Sequence, residues 1–217
     1  MGDRLVSSLP PAVFIADARG LDFLNSLATP ITDPVDWIGD GRGLVDWLRQ
    51  AGLAPLDELE TIIARAMPSE LDRVADQARD LREWFRGVVR ARMGRPLDAD
   101  VLNELEPLNR LLERDEAYGR IVVHSEHGDE GHGHHRHLAF AAARRWRSPE
   151  SLLIPLGEAM ARLMVEEDFT QVKACEGPSC TLLFADHTRG HARRWCSMSA
   201  CGNRAKVAAH RSRRKAA

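Results

Sequence analysis

Apolar residues recur along this chain at helical spacing, then briefly at strand spacing, then at helical spacing again. Leu21, Leu24 and Leu27 fall three apart within residues 20–27, predicting a helix that Thr29-Pro30 should end. Trp37, Leu44, Trp47 and Leu48 predict a second helix over residues 36–50, stopped by Gly52. A third is expected from Pro55 to Met67. Pro68-Ser69-Glu70 reads as a break and cap before the clearest stripe in the chain: Leu71, Val74, Ala78, Leu81, Phe85 and Val88. Gly94 and Pro96 should end that helix. A further helix is expected from Asp98 to Glu113, kinked or shortened where Pro107 removes a backbone donor.

The period then changes. Arg120–His124 and Leu138–Trp146 read as two strands joined by a Gly/His-rich connection, a β-hairpin with a long loop. Ser148-Pro149-Glu150 supplies an N-cap, an N1 proline and an acidic first turn for a helix to about Glu167, with Pro155 inside it. Beyond it, Thr181–Ala185 and Arg193–Cys196 are apolar enough to pair as a short hairpin. The expected fold is mainly α with a small β-hairpin over residues 1–168, followed by a compact module over 169–217 built from a hairpin and a helix.

All four cysteines lie in that module. Cys175-Glu-Gly-Pro-Ser-Cys180 and Cys196-Ser-Met-Ser-Ala-Cys201 are two CxxxxC pairs separated by fifteen residues. A tight turn inside each pair lets both sulfurs converge on one tetrahedral zinc ion, with four thiolates closing its shell and leaving no place for a catalytic water. So few residues cannot build a sufficient core, so the metal would supply much of the folding free energy. A set of buried or redox-active thiols is the alternative.

Charge sharpens the division. From Cys175 onward there are nine basic residues against two acidic, a net +7, which leaves −9 for the remainder of a chain whose total is −2. At 100° per residue, Arg204, Arg211 and Lys215 share one face of a final helix, Lys206, His210 and Arg213 another, with Arg214 between. A helix basic on most sides suits a phosphate backbone, where each neutralised charge releases counterions. A solvated, frayed basic terminus is the plainer alternative.

The string Arg194-Trp-Cys-Ser-Met-Ser-Ala-Cys-Gly-Asn-Arg-Ala-Lys206, with His210-Arg211 and Arg213 after it, resembles the CGNR zinc-finger family of bacterial proteins. In that family the finger follows an N-terminal domain called ABATE, and its members are described as stress-induced transcription regulators. Leu21-Asp22-Phe23-Leu24-Asn25-Ser26 is similar to the family's Leu-Asp-Phe-(apolar)-Asn-Thr element, with Ser26 in place of threonine. The resemblance implies that the four cysteines hold one structural Zn2+ and that Asn203, Arg204 and Lys206 belong to the signature surface.

These observations lead to the expectation of a cytoplasmic, DNA-binding regulator that is not an enzyme. The residues expected at nucleic acid are Asn203, Arg204, Lys206, Arg211, Arg213 and Arg214, with Arg193 and Arg194; Asn203 and Arg204 are those expected to reach base edges. RNA is not distinguished from DNA. Two further features stay open. Asp22 and Asn25 could bind a small effector or serve as half of an acid/base pair, although capping or an internal hydrogen bond is the commoner use. His132, His134, His135 and His137, in a loop holding six of the nine histidines, could take a weak second metal, although solvation or adventitious affinity is the plainer reading. Rival functions are a small-molecule-binding or assembly protein whose zinc is purely structural, and an enzyme built around Asp22 and Asn25. A homodimer is compatible with either. No apolar run approaches the ~20 residues that span a bilayer.

Overall fold

The computed structural model describes residues 9–29, 33–125 and 136–216. Eight helices, two short 3-10 turns, a π-helical turn and three antiparallel strand pairs are found among them.

The organising element is the helix expected after Pro68, here α4 (Pro68–Arg92). Its apolar stripe, Leu71, Val74, Ala78, Phe85 and Val89, is buried. Glu70 caps it by accepting from the Met67 backbone N–H at 2.8 Å. Against it pack α1 (Arg19–Leu24) and α2 (Gly41–Ala51). α2 ends at Gly52, whose φ of 65° is the left-handed conformation that glycine adopts without penalty. Trp47 is 1% exposed, with its ring 5.9 Å from that of Phe23 and 5.7 Å from that of Phe14. α3 (Leu56–Arg65) follows as expected.

Three of the expected helices have different bounds. The helix expected from Asp36 begins only at Gly41, because Asp40 caps it by accepting from Gly43 N–H at 2.7 Å. Residues before it form a strand, β2 (Val35–Asp36), paired with β1 (Leu27–Ala28), which ends the first helix earlier than its leucine spacing suggested. Pro107 shortens the helix rather than kinking it, one of the two outcomes expected. It sits in the first turn of α6 (Glu106–Leu112), where its missing N–H has no partner to lose, and the expected single helix is instead α5 (Val101–Glu104) and α6 meeting at Leu105.

The hairpin is present, with its first strand longer than read from sequence and its second displaced by two residues: β3 (Ala117–Ser125) pairs with β4 (Arg136–Arg144). Then a 3-10 turn at Pro149–Leu152 leads into α7 (Leu153–Glu166). Pro155 is its third residue, within the turn that tolerates it. α7 lies against α1, α4 and α6, which explains burial on most of its sides.

The last strand pair differs from expectation. β6 (Leu183–Ala185) pairs not with Arg193–Cys196 but with β5 (Val172–Ala174), in the register Val172↔Ala185 and Ala174↔Leu183. The reason is local: β5 runs directly into Cys175, so the first cysteine pair forms the connection of a tight hairpin. β6 packs on α1, with Ala185 N–H donating to Ala16 O at 2.8 Å. One hydrophobic core therefore passes from Leu21 and Leu24 through Phe169 to Phe184 and Cys196, without a break at residue 168. A π-helical turn (Met198–Gly202) and α8 (Asn203–Ala216) complete the chain.

Candidate zinc centre and basic helix

The hairpin connection presents Cys175 and Cys180, and the π-helical turn presents Cys201 near its end. Cys196 lies in the segment between β6 and that turn, tied back by a bond from its own N–H to Cys175 Sγ at 3.2 Å. The turn is capped by Ser197, whose hydroxyl accepts from Ala200 N–H at 3.0 Å. All four Sγ atoms lie within 4.8 Å of one another. The separations are 3.8 Å for Cys180–Cys196 and 3.5 Å for Cys196–Cys201. A tetrahedron with arms of ~2.3 Å has edges of ~3.8 Å, so these distances suit one zinc ion. They are far beyond a disulfide bond, ~2.05 Å.

The thiols perturb one another. Cys180 is drawn down to about 5, first by its hydrogen bond with Cys196. Cys196 is pushed up by that same bond and by burial, and Cys201 is raised to about 11, chiefly by burial. Gly177 leaves the room: a Cβ there would stand 3.1 Å from Cys201 Sγ and 3.0 Å from Cys180 Cβ. Four thiolates would complete the shell of the ion, whose contribution when bound is to hold the hairpin, the segment before the π-helical turn and the turn itself together.

With this geometry in view, the comparison with known families is direct. Residues 17–167 match the ABATE family model, described as "Putative stress-induced transcription regulator", and residues 171–214 match the CGNR zinc finger. The chain belongs to the ABATE family. The four cysteines are close enough to bind one metal ion, as the CGNR finger does. A search among curated proteins finds no match.

The ABATE and CGNR segments are joined by buried polar contacts rather than by a linker. Asn25 and Leu183 exchange two hydrogen bonds, at 2.8 and 2.9 Å. Asp22, 3% exposed, accepts from Ala16 N–H and from Arg19. Burial raises its carboxyl to about 6. Both side chains proposed from sequence for a ligand or an acid/base pair are thus engaged by this protein's own groups.

Asp186 escaped the sequence reading. It is fully buried and accepts from Lys173 Nζ at 2.7 Å, Arg193 N–H at 2.9 Å and the Thr188 hydroxyl at 2.6 Å. Burial opposes its charge, but these donors outweigh burial and hold the carboxyl well below its usual range. A lone aspartate in a polar loop carries no sequence signal of such a role.

The basic residues separate into three groups. Arg193 is a correction to the nucleic-acid set. Its guanidinium donates to Asp17 and to the carbonyls of Ile15, Ala185, Trp195 and Cys196, while its carbon lies 4.2 Å from the Phe184 ring centroid. It rivets the finger to the segment before α1 and has no donor left for phosphate. Arg194 is exposed and pairs with Glu176. Arg204, expected at base edges, turns back on the finger, with Nε donating to Ala200 O at 2.7 Å and Nη2 to Cys201 Sγ at 3.4 Å.

Asn203, Lys206 and Arg211 are exposed on α8. Arg213 and Arg214 lie on the same helix, with side chains outside the described set. In the described part of α8, only Ala205 is even half-buried, and the helix packs mainly on the π-helical turn. The histidine site falls elsewhere: His132, His134 and His135 lie outside the described residues, and His137 is exposed on β4 opposite His124. Among the described residues, no helix is long and apolar enough to cross a membrane.

Proposed function

We propose that this ABATE-family chain is a cytoplasmic, DNA-binding transcription regulator without a catalytic step, in which zinc is structural and α8 lies along the phosphate backbone. The observation that carries the reading is the placement of charge. The +7 segment ends in a helix whose described residues are almost all exposed, rooted in the turn that holds Cys201, while the rest of the chain is net −9. A helix polar on nearly every side gains little by packing on its own protein and much by entering a field of phosphates. Lys206 and Arg211 neutralise phosphates; Asn203, at the helix start, is the residue placed to read a base edge.

The test is binding to duplex DNA as salt is varied, for the zinc-loaded protein and for Lys206→Ala, Arg211→Ala. Affinity should fall steeply with salt, and the double variant should bind more weakly with a shallower slope. Binding that is indifferent to salt overturns the reading.

A second reading has its own observation. An open groove of about 880 Å³ separates the segment before α1 from the finger, lined by Phe14, Ile15, Trp195, Met198 and Lys206 among others. Its apolar walls carry Lys206 and Arg194, with Asp17 and Arg193 engaged by each other, a charge balance that suits a small anionic effector and would make the chain a small-molecule-binding protein with a purely structural zinc. Effector binding to a protein that fails to retain DNA would favour it.

A further inference from the structure

The β3–β4 hairpin breaks the pattern of burial seen elsewhere. Ile121, Val123, Leu138 and Phe140 are 72%, 55%, 73% and 80% exposed. The register sets Ile121 opposite Phe140 and Val123 opposite Leu138, so alternation along the strands projects all four from one face. Gly119 and Ala142, the next pair toward the base, extend that face without charge. The missing Cβ of Gly119 lets the Phe140 ring lie across the strand, since a methyl there would meet ring atoms at 2.1 Å.

The base of the hairpin is fastened. Arg144 donates to Asp115 at 2.5 and 2.8 Å and to Glu158 at 2.7 Å, and Arg145 stacks on Tyr118. Above it, the strands pack on each other and no more than marginally on any other described element. An isolated two-stranded ribbon is marginal in water and gains stability when its apolar face is covered. The four side chains expose on the order of 500 Å², more than the scattered apolar residues of an ordinary surface and close to the roughly 800 Å² per partner of a specific interface.

We propose that this face is the contact between two copies of the chain, hairpin against hairpin about a two-fold axis. The register sets Arg136 and Arg144 on this face only at its two ends, and Arg144 is already paired with Asp115 and Glu158, so the four-residue apolar patch between them offers nucleic acid little, and a flat ribbon offers a small ligand no enclosure. A second copy supplies an identical apolar face, and a two-fold arrangement makes one patch self-complementary, with the Phe140 of each copy over the Ile121 and Val123 of the other. The net −9 of the N-terminal part opposes association elsewhere on its surface, which leaves this apolar patch as the place where two copies meet at least electrostatic cost. The proposal is independent of DNA binding, and each can fail alone.

Sedimentation velocity of the full zinc-loaded chain, without nucleic acid, tests it over a concentration series. The wild type should be a dimer at tens of micromolar. Phe140→Glu should weaken self-association at least ~100-fold, because it places a charge at the centre of the contact. Val123→Thr with Leu138→Thr keeps strand propensity and should do the same, with zinc content and helicity unchanged, while Phe140→Leu should stay dimeric. Should Phe140→Glu not fold, the threonine variant decides. A monomeric wild type, leaving the face for a different partner, overturns the proposal, as does a dimer that survives both disruptive variants.

Discussion

Asn25, at the C-terminal end of α1, donates its amide N–H to Leu183 O and accepts from Leu183 N–H, both bonds being buried. The side chain imitates one more strand residue beside β6. It satisfies a backbone donor and acceptor that the short β5–β6 ladder leaves unpaired on that edge. Asn25→Ala would orphan both and should cost about 2–4 kcal/mol of unfolding free energy, measured by urea titration. A variant as stable as wild type would mean that the two segments are held by apolar packing alone.

The metal site makes a separate demand. Zinc analysis should find one ion per chain, lost on replacing Cys196 or Cys201 by serine. Gly177→Ala, whose methyl would press on Cys180 and Cys201, should retain the fold but release zinc to a chelator about tenfold more readily, about 1.4 kcal/mol. Unchanged retention would show that the connection relaxes around the added carbon.

Asp22 carries a pH signature. Burial places its carboxyl at about 6 in the folded chain against 3.8 ordinarily. Between those values the folded state holds a proton that the unfolded state has released. The stability contributed by this group is therefore full below about pH 4 and is lost as pH rises through about 6. Asp22→Asn should flatten that part of the profile and exceed wild type above pH 7 by about 1–3 kcal/mol. Asp186 has the opposite sign: its folded carboxyl is depressed, so its contribution is present at neutral pH and lost only in strong acid. Thermal melts of Asp22→Asn and Asp186→Asn across pH would separate the two groups.

Arg193 and Lys206 predict opposite outcomes. Arg193→Lys removes most of the bonds of a rivet and should lower thermal stability while leaving the salt slope of DNA binding intact. Lys206→Ala should leave the melt in place and reduce that slope by about one. A salt slope that responds to Arg193 would return that residue to the phosphate-facing set.

Much of the helical plan was legible because long apolar stripes dominate a helix's fate: α4 needed only Leu71 through Val88 and the flanking proline and glycine. The four cysteines were legible because ligand spacing is a local property. What escaped was set by distant partners. Arg82 and Arg86 look like the polar face of α4. Arg82 is nevertheless 1% exposed, donating to Asp36 and Ser26 at 2.8–2.9 Å, and Arg86 reaches the Leu24 carbonyl. β5 was missed because three residues carry too little alternation to announce a strand. Arg193 could not be told from Arg194 by sequence, since part of the difference lies in Ile15 and Asp17, far along the chain.

The root of α8 governs more than its own few residues. Fourteen residues of helix extend about 21 Å. Their direction is set where Cys201 leaves the π-helical turn and Arg204 folds back onto its sulfur. That makes the helix a lever with its fulcrum at the metal: a tilt of about 10° at the base sweeps the far end through roughly 4 Å, most of a helical turn. Oxidation of a single thiolate would thus act at the fulcrum and be felt along the whole helix.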